Sequence, residues 1–402
     1  MPDDATGESC DGCEPVPHGS SALALRLALA YSALFLWMGL YLPYWPVWLE
    51  HRGMSAGQVG ILLAVAPWTR VIASPLAGRW ADRSGRSHRL VQGLSVILVL
   101  TAAAFFVAEG FGVLLALMVV LGLVFAPIVP LIDGITVGAE AEGHLSYGPV
   151  RLWGSGAFIV ASWAGGELLE RSGEQSVLWL LVGAAGLLAL ASGLLPGTTV
   201  ATRDRDAAGG PSFSPRRRPF VVFLAVTGLL HLGHAVLYGF GTVHWRAAGL
   251  DDGTVGLLWA EGVLAEIVVF ALAPALGRRI SPRGLWIVAG LASVLRWSLL
   301  ASTTALPWLV SGQALHGATF GALHLGAMSY LRLQVPAGHR AHAATLYSAI
   351  AAGVALGIGL PLAGVLYEHV GGGAYWAMSI GAGLGLLLAL APSSAEPRAP
   401  TP

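Results

Sequence analysis

Apolar residues fill this 402-residue chain in long stretches, separated by short breaks of charge, glycine and proline. A helix needs about 20 apolar residues to cross the bilayer core. Read between the breaks, the pattern predicts twelve such helices. The first six cover 23–49, 56–80, 89–108, 111–137, 147–170 and 176–196. The second six cover 219–245, 253–276, 283–302, 305–333, 340–368 and 373–392. Between them lies a polar stretch containing RDRDAAGGPSFSPRRR, whose Gly, Pro, Ser and charge predict a flexible linker. The expected organisation is a tail at 1–22, a six-helix bundle at 23–196, a linker at 197–218, a second bundle at 219–392 and a tail at 393–402.

Composition agrees with the pattern. The chain is 55% hydrophobic and 11% charged, with a mean hydropathy of +0.70. A soluble domain carries roughly 25% charged residues. The fold class expected is an all-α polytopic membrane protein with twelve transmembrane helices in two pseudo-symmetric halves. A formal net charge of zero argues against a nucleic-acid partner. All 22 basic residues are arginine, and arginine keeps its proton. Any proton carrier is therefore Asp, Glu or His.

Arginine placement predicts orientation. With both termini cytoplasmic, sixteen arginines fall on that side, three (Arg52, Arg171, Arg246) on the other, and three (Arg26, Arg70, Arg296) within helices. This is a strong positive-inside bias. The acidic N-terminal tail lacks the basic start of a signal peptide. Its Cys10 and Cys13 form a C-x-x-C with His18 nearby, but a structural zinc site needs four ligands. Two spare thiols in a disordered tail are the simpler expectation. No metal or cofactor is expected, and the absence of a nucleotide loop or nucleophile–base motif argues against an enzyme.

The two halves repeat. RGMSAGQVGILLAV (52–65) aligns with AGLDDGTVGLLWAE (248–261) at an offset of 196. GELLERSG (166–173) and GVLYEHVG (364–371) share G-x-L-x-E-x-x-G at an offset of 198. Parallel six-helix repeats describe a transporter that rocks about a midplane site. At the first offset Arg70 falls opposite Glu266.

GRWADRSGRSHR (78–89) resembles the signature of the major facilitator superfamily between its second and third helices, carried here by Gly78, Asp82, Arg83, Gly85 and Arg86. Its charges can pair across the cytoplasmic mouth in one conformation and part in another. YGPVRLWGS (147–155), GHAVLYGF (233–240), VLAEIVVFAL (263–272), LRWSLLASTTALPWL (295–309) and LHGATFGALHLGAMSY (315–330) resemble the 3-phenylpropionic acid permease family, a branch related to lactose permease and nucleoside–proton symporters. The resemblance implies a proton-coupled symporter that imports a small organic acid and works as a monomer in a bacterial-type inner membrane. It matches an acid, an arginine and a histidine on the eighth, ninth and tenth spans to Glu266, Arg296 and His316. The relative's proton-carrying glutamate, three residues past the histidine, is Thr319 here.

Charges inside a membrane are costly and commonly functional. Glu266, His316 and His324 are the candidates for proton coupling. His316 and His324, eight apart, project within about 80° on an ideal helix, with Phe320 between them. Arg70, Tyr44, His234 and Arg296 are the candidates for substrate binding. Arg70 offers a carboxylate a two-pronged partner, or is the resting partner of Glu266, or is held by carbonyls for stability. Glu266 is alternatively a static pair with Arg296 or Arg70. His231 and Glu261 are weaker candidates. Asp82, Arg83 and Arg86, with Asp133 and Arg151 near them, are the candidate gate. Tyr41, Tyr44, Trp45 and Trp48 predict an interfacial aromatic belt, with Pro43 and Pro46 turning Tyr44 inward. A sugar or nucleoside symporter, using Trp153 or Trp259, is the alternative. A drug antiporter is disfavoured by the absence of Gly-Pro in LWGSGAFIVASWAGGELLE (152–170) of the fifth span, and a membrane sensor by the short tails.

Overall fold

The computed structural model describes residues 19–197 and 213–391. Cys10, Cys13, the C-terminal tail and most of the linker lie outside the described residues. The described chain is helical throughout, with no strand. Nine of its helical stretches are long and apolar enough to cross a membrane. Every predicted span falls on helix, but five are broken into two pieces.

Before the linker the helices are α1 (Gly19–His51), α2 (Ala56–Ser84), α3 (Ser87–Ala104), α4 (Gly110–Phe125), α5 (Ile128–Ala141), α6 (Tyr147–Ser172) and α7 (Ser176–Gly193). After it come α8 (Arg218–Leu232), α9 (Ala235–Ala247), α10 (Asp252–Ala271), α11 (Ala273–Arg279), α12 (Pro282–Ser302) and α13 (Leu306–Ala314). The chain ends with α14 (Leu323–Gln334), α15 (Arg340–Ser348), α16 (Leu356–Val370) and α17 (Ala374–Leu390). Wider π-turns at Gly317–Ala322 and Ala349–Ala355 join α13 to α14 and α15 to α16. Such turns are rare and gather at functional sites.

In the first set α1 packs on α6 and α7, and α3 on α4 and α7; in the second α12 packs on α17, and α10 on α13. The two sets meet where α6 crosses α10, α2 crosses α16 and α1 touches α9. The end carrying the loops 52–55, 173–175, 248–251 and 371–373 is called the far end; the other is the linker end.

The aromatic belt expected on α1 is not at the surface. Trp37, Tyr41, Trp45 and Trp48 form one stack, with successive centroids 6.0, 5.7 and 4.7 Å apart. Trp45 and Trp48 are 1% and 0% exposed and meet Phe105 edge-on, while Trp45 Nε1 donates to Met118 Sδ. The α1 helix continues through both prolines, so its aromatic stripe stays turned towards its own bundle. Tyr44 is sealed in the seam beside Gly165, Gly166 and Gly256, and its hydroxyl donates to the Ser162 carbonyl. The structure thus places it away from the cavity wall expected for it.

Candidate functional site

The second set of helices builds a connected polar relay. Arg296 on α12 is 0% exposed. Its Nη1 meets His316 Nδ1 at 2.7 Å and donates to Thr319 Oγ1 at 3.0 Å, and its Nη2 donates to Gln313 Oε1. Arginine only donates, so His316 Nδ1 supplies a lone pair. The hydrogen of neutral His316 is then on Nε2, which lies 2.7 Å from Glu266 Oε1. Gln313 Nε2 donates to the Leu258 carbonyl at 3.0 Å, tying the relay to α10, the helix of Glu266. Glu266 keeps 21% of its side chain exposed, against 9% for His316. The carboxylate is thus the accessible end of a buried chain.

Around it is an aromatic wall. His316, Phe320 and His324 stack, with interplanar angles of 18° and 4°. The three rings lie along one face across the π-turn at Gly317–Ala322. His324 Nδ1 is 3.5 Å from the Tyr347 hydroxyl. His231 and His234 straddle the α8–α9 break, and each Nδ1 faces the carbonyl four residues earlier, at 2.8 and 3.2 Å. Both rings therefore carry hydrogen on Nδ1 and offer Nε2 as an acceptor. His234, 1% exposed, lies edge-on to Trp297 at 5.1 Å.

The first set is less saturated. Asp133 Oδ1 accepts from Tyr31 at 2.6 Å and Tyr147 at 3.1 Å. The Arg151 guanidinium lies 3.9 Å from the Phe35 ring centre and 5.4 Å from that of Tyr31. Neither Asp133 nor Arg151 contacts Asp82 among the described residues, so the expected grouping with the signature loop is corrected. Both side chains point at α1, because their faces of α5 and α6 pack on it. Glu266 instead lies within electrostatic reach of Arg151, His324 and Arg296. Arg70 is half-buried and makes no hydrogen bond or ion pair with a described residue. It follows Trp68, whose Nε1 donates to the Gly357 carbonyl of α16 at 3.2 Å. The direct Arg70–Glu266 pair is not formed; His316 holds the acid. Asp82, Arg83 and Arg86 are exposed at the linker end and make no ion pair with a described residue.

Gln313 has no charge to mark it in an apolar run and was missed by sequence reasoning. Its only signal was a lone polar residue three before His316.

The far end is closed. Arg246 on α9 reaches Glu174 of the first set at 2.9 Å and Asp252 at 2.8 Å, and His51 lies 3.8 Å from Glu174. The hydrogen bond from Arg246 holds the Glu174 carboxyl below its usual range.

A sheltered acid between two helical sets that touch at one end is the plan of a membrane carrier, and comparison with known proteins gives the family. The chain belongs to the MFS_1 like family, whose model matches residues 24–378. It is 36% identical over 361 residues to the "Probable 3-phenylpropionic acid transporter" of Escherichia coli (strain K12), covering 88% of this chain and 94% of that protein. It is 27% identical over 364 residues to the maltose permease of Geobacillus stearothermophilus, covering 87% and 89%. Among solved structures it resembles the nucleoside transporter NupG, at 17% identity and a TM-score of 0.77 over 92% of this chain and 97% of that one. A bacterial homologue of the lysosomal transporter Spinster gives 14%, 0.71, 94% and 97%. The protein is a transporter of the major facilitator type.

Proposed function

We propose that the protein is a proton-coupled symporter importing a small aromatic carboxylate, with Glu266 as the proton site. The carrying observation is the unequal pairing of charge: Glu266 is held by a neutral histidine, while Arg70 of the facing set has no partner among the described residues. A half-buried cation without a counter-charge is poorly compensated, and a carboxylate ligand supplies one by two parallel hydrogen bonds. Arg151 adds a second cation within reach of Glu266, on an aromatic shelf of Phe35 and Tyr31 that suits a phenyl ring. With Glu266 protonated, the site accepts the anion at no net gain of charge. With Glu266 ionised, acid and ligand compete for the same cations. Substrate and proton then move together.

The relay supports this assignment. Arg296 occupies the His316 lone pair, so His316 cannot take a second proton without losing that bond. The proton role falls to Glu266, with His316 orienting it and His324 near it. Arg296, buried with three partners, serves the relay rather than touching substrate. The relative's printed substrate, 3-phenylpropionic acid, fits the proposed class. The sugar or nucleoside alternative would use Trp153, which is 65% exposed, or Trp259, whose N–H is engaged by Thr242 Oγ1 at 2.9 Å.

In this reading the described helices form twelve crossings in two six-helix halves, the linker end is cytoplasmic, and the structure is open to that side. The Asp82–Arg83–Arg86 gate then stands released. The protein works as a monomer in the inner membrane. The test is uptake of labelled 3-phenylpropionate into proteoliposomes with and without an inward proton gradient. Accumulation that collapses with a protonophore is expected. No uptake by folded, inserted protein overturns the substrate, and uptake indifferent to the gradient overturns the coupling.

A further inference from the structure

The repeated motif G-x-L-x-E-x-x-G plays no part in the site above, yet both copies sit where the two sets of helices cross. Glu170, on α6, accepts from the Asp252 amide at the first residue of α10, 2.9 Å away. Glu368, on α16, accepts from the Gly57 amide in the first turn of α2, also at 2.9 Å. Each glutamate thus reaches across to a helix start in the opposite set. Those helix starts already have local caps, Asp251 for α10 and Ser55 for α2, and the glutamates take further amides. An anion at a helix N-terminus is stabilised by the free amides and the helix dipole.

The glycines repeat the same symmetry. A Cβ on Gly166 would overlap the Asp252 carbonyl, and one on Gly364 would overlap that of Ala56. A Cβ on Gly256 would meet the Ser162 carbonyl, and one on Gly60 that of Leu360. The positions in each pair of contacts differ by the 196- and 198-residue offsets of the two repeats. Small residues let the backbones touch, and touching backbones bring each acid within reach of the facing helix start.

We propose that Glu170 and Glu368 are a symmetric pair of gating residues that hold the far end closed, each by capping a helix of the opposite set. This rests on transport by alternating exposure, and not on any substrate or on proton coupling. Opening the far end separates α6 from α10 and α2 from α16, so both acids must let go together. The two crossings differ in reinforcement: Arg246 strengthens the Glu170 side, while Ser55 Oγ, 3.5 Å from Glu368, is the weaker support on the other.

The test reads opening without substrate. In a Cys10→Ser, Cys13→Ser background, Val243→Cys places a thiol in the buried seam beneath the far-end loops. A membrane-impermeant maleimide is added from the far side. Each single change, Glu170→Gln or Glu368→Gln, is expected to raise labelling roughly threefold, and the double change about tenfold, since each removes one charge–dipole contact. In a second protein that also carries Val243→Cys, Gly57→Cys and Glu368→Cys are joined by a short bis-methanethiosulfonate, which forms a disulfide with each thiol and releases sulfinate; this should abolish labelling at position 243, and reductant should restore it. Parent-rate labelling of a folded double variant overturns the proposal. So does labelling of the cross-linked protein at the rate of the reduced one, which decides the matter if the glutamine variants fail to fold.

Discussion

The two helical sets handle buried charge in opposite ways. In the second, Arg296 is surrounded: histidine, threonine and glutamine take its donors, and glutamine passes the constraint on to α10. In the first, Arg70 has no partner among the described residues, and Arg151 lies on aromatic faces. An arginine held by three side chains is part of the scaffold; one without a described partner in a half-open place is available to a ligand. In the proposed function this comparison divides the labour: one side would store and orient a proton, the other would receive an anion.

The sharpest way to break that division is Glu266→Gln. Gradient-driven accumulation should fall roughly hundredfold or more, the scale of losing an acid–base group, while exchange of substrate across the membrane persists. Normal accumulation would remove Glu266 from the proton role. Next comes Arg70→Lys, which keeps charge but loses the two-pronged geometry. KM for a carboxylate should rise about tenfold with little change in maximal rate; an unchanged KM would return Arg70 to a structural part. Gln313→Leu tests the Arg296 side. Arg296 loses an acceptor and its tie to α10, which loosens its hold on His316, so the maximal rate should fall roughly tenfold while KM stays near the parent value. A rise in KM alone would place Gln313 at the substrate instead.

The smallest effect concerns the seam joining the sets. Glu174 ionises more readily in the folded protein than in the unfolded chain, because Arg246 holds its carboxylate. Its contribution is therefore complete above its ordinary value of 4.5 and is lost as pH falls through the lowered value. Thermal unfolding compared with Glu174→Gln should show a difference at neutral pH that shrinks below about pH 4. A constant difference would mean that the ion pair contributes nothing.

Much of this was open to a reader of the sequence. Glu266, Arg296 and His316 stand out as charges in apolar runs, and the structure joins them. The aromatic stripe of α1 shows why other features were hidden. In water, burial is written as alternation of apolar and polar faces. In lipid both faces are apolar, so Trp45 and Trp48 look alike whether they meet acyl chains or Phe105. Asp133 and Arg151 were visible as charges, but not that they turn towards α1 rather than towards Asp82. The stacking of His316, Phe320 and His324 needed a π-turn that no residue pattern announces.

The sequence by itself determined the helical runs, the repeat and the short list of ionisable groups, because these follow from hydropathy and spacing along one chain. Tertiary structure alone decided which arginine is held by three side chains and which has no partner among the described residues, and that the glutamates of the repeated motif cap helices of the opposite set. Those are contacts between residues 17 to 311 positions apart. They depend on how helices cross, and a one-dimensional pattern carries no term for a crossing.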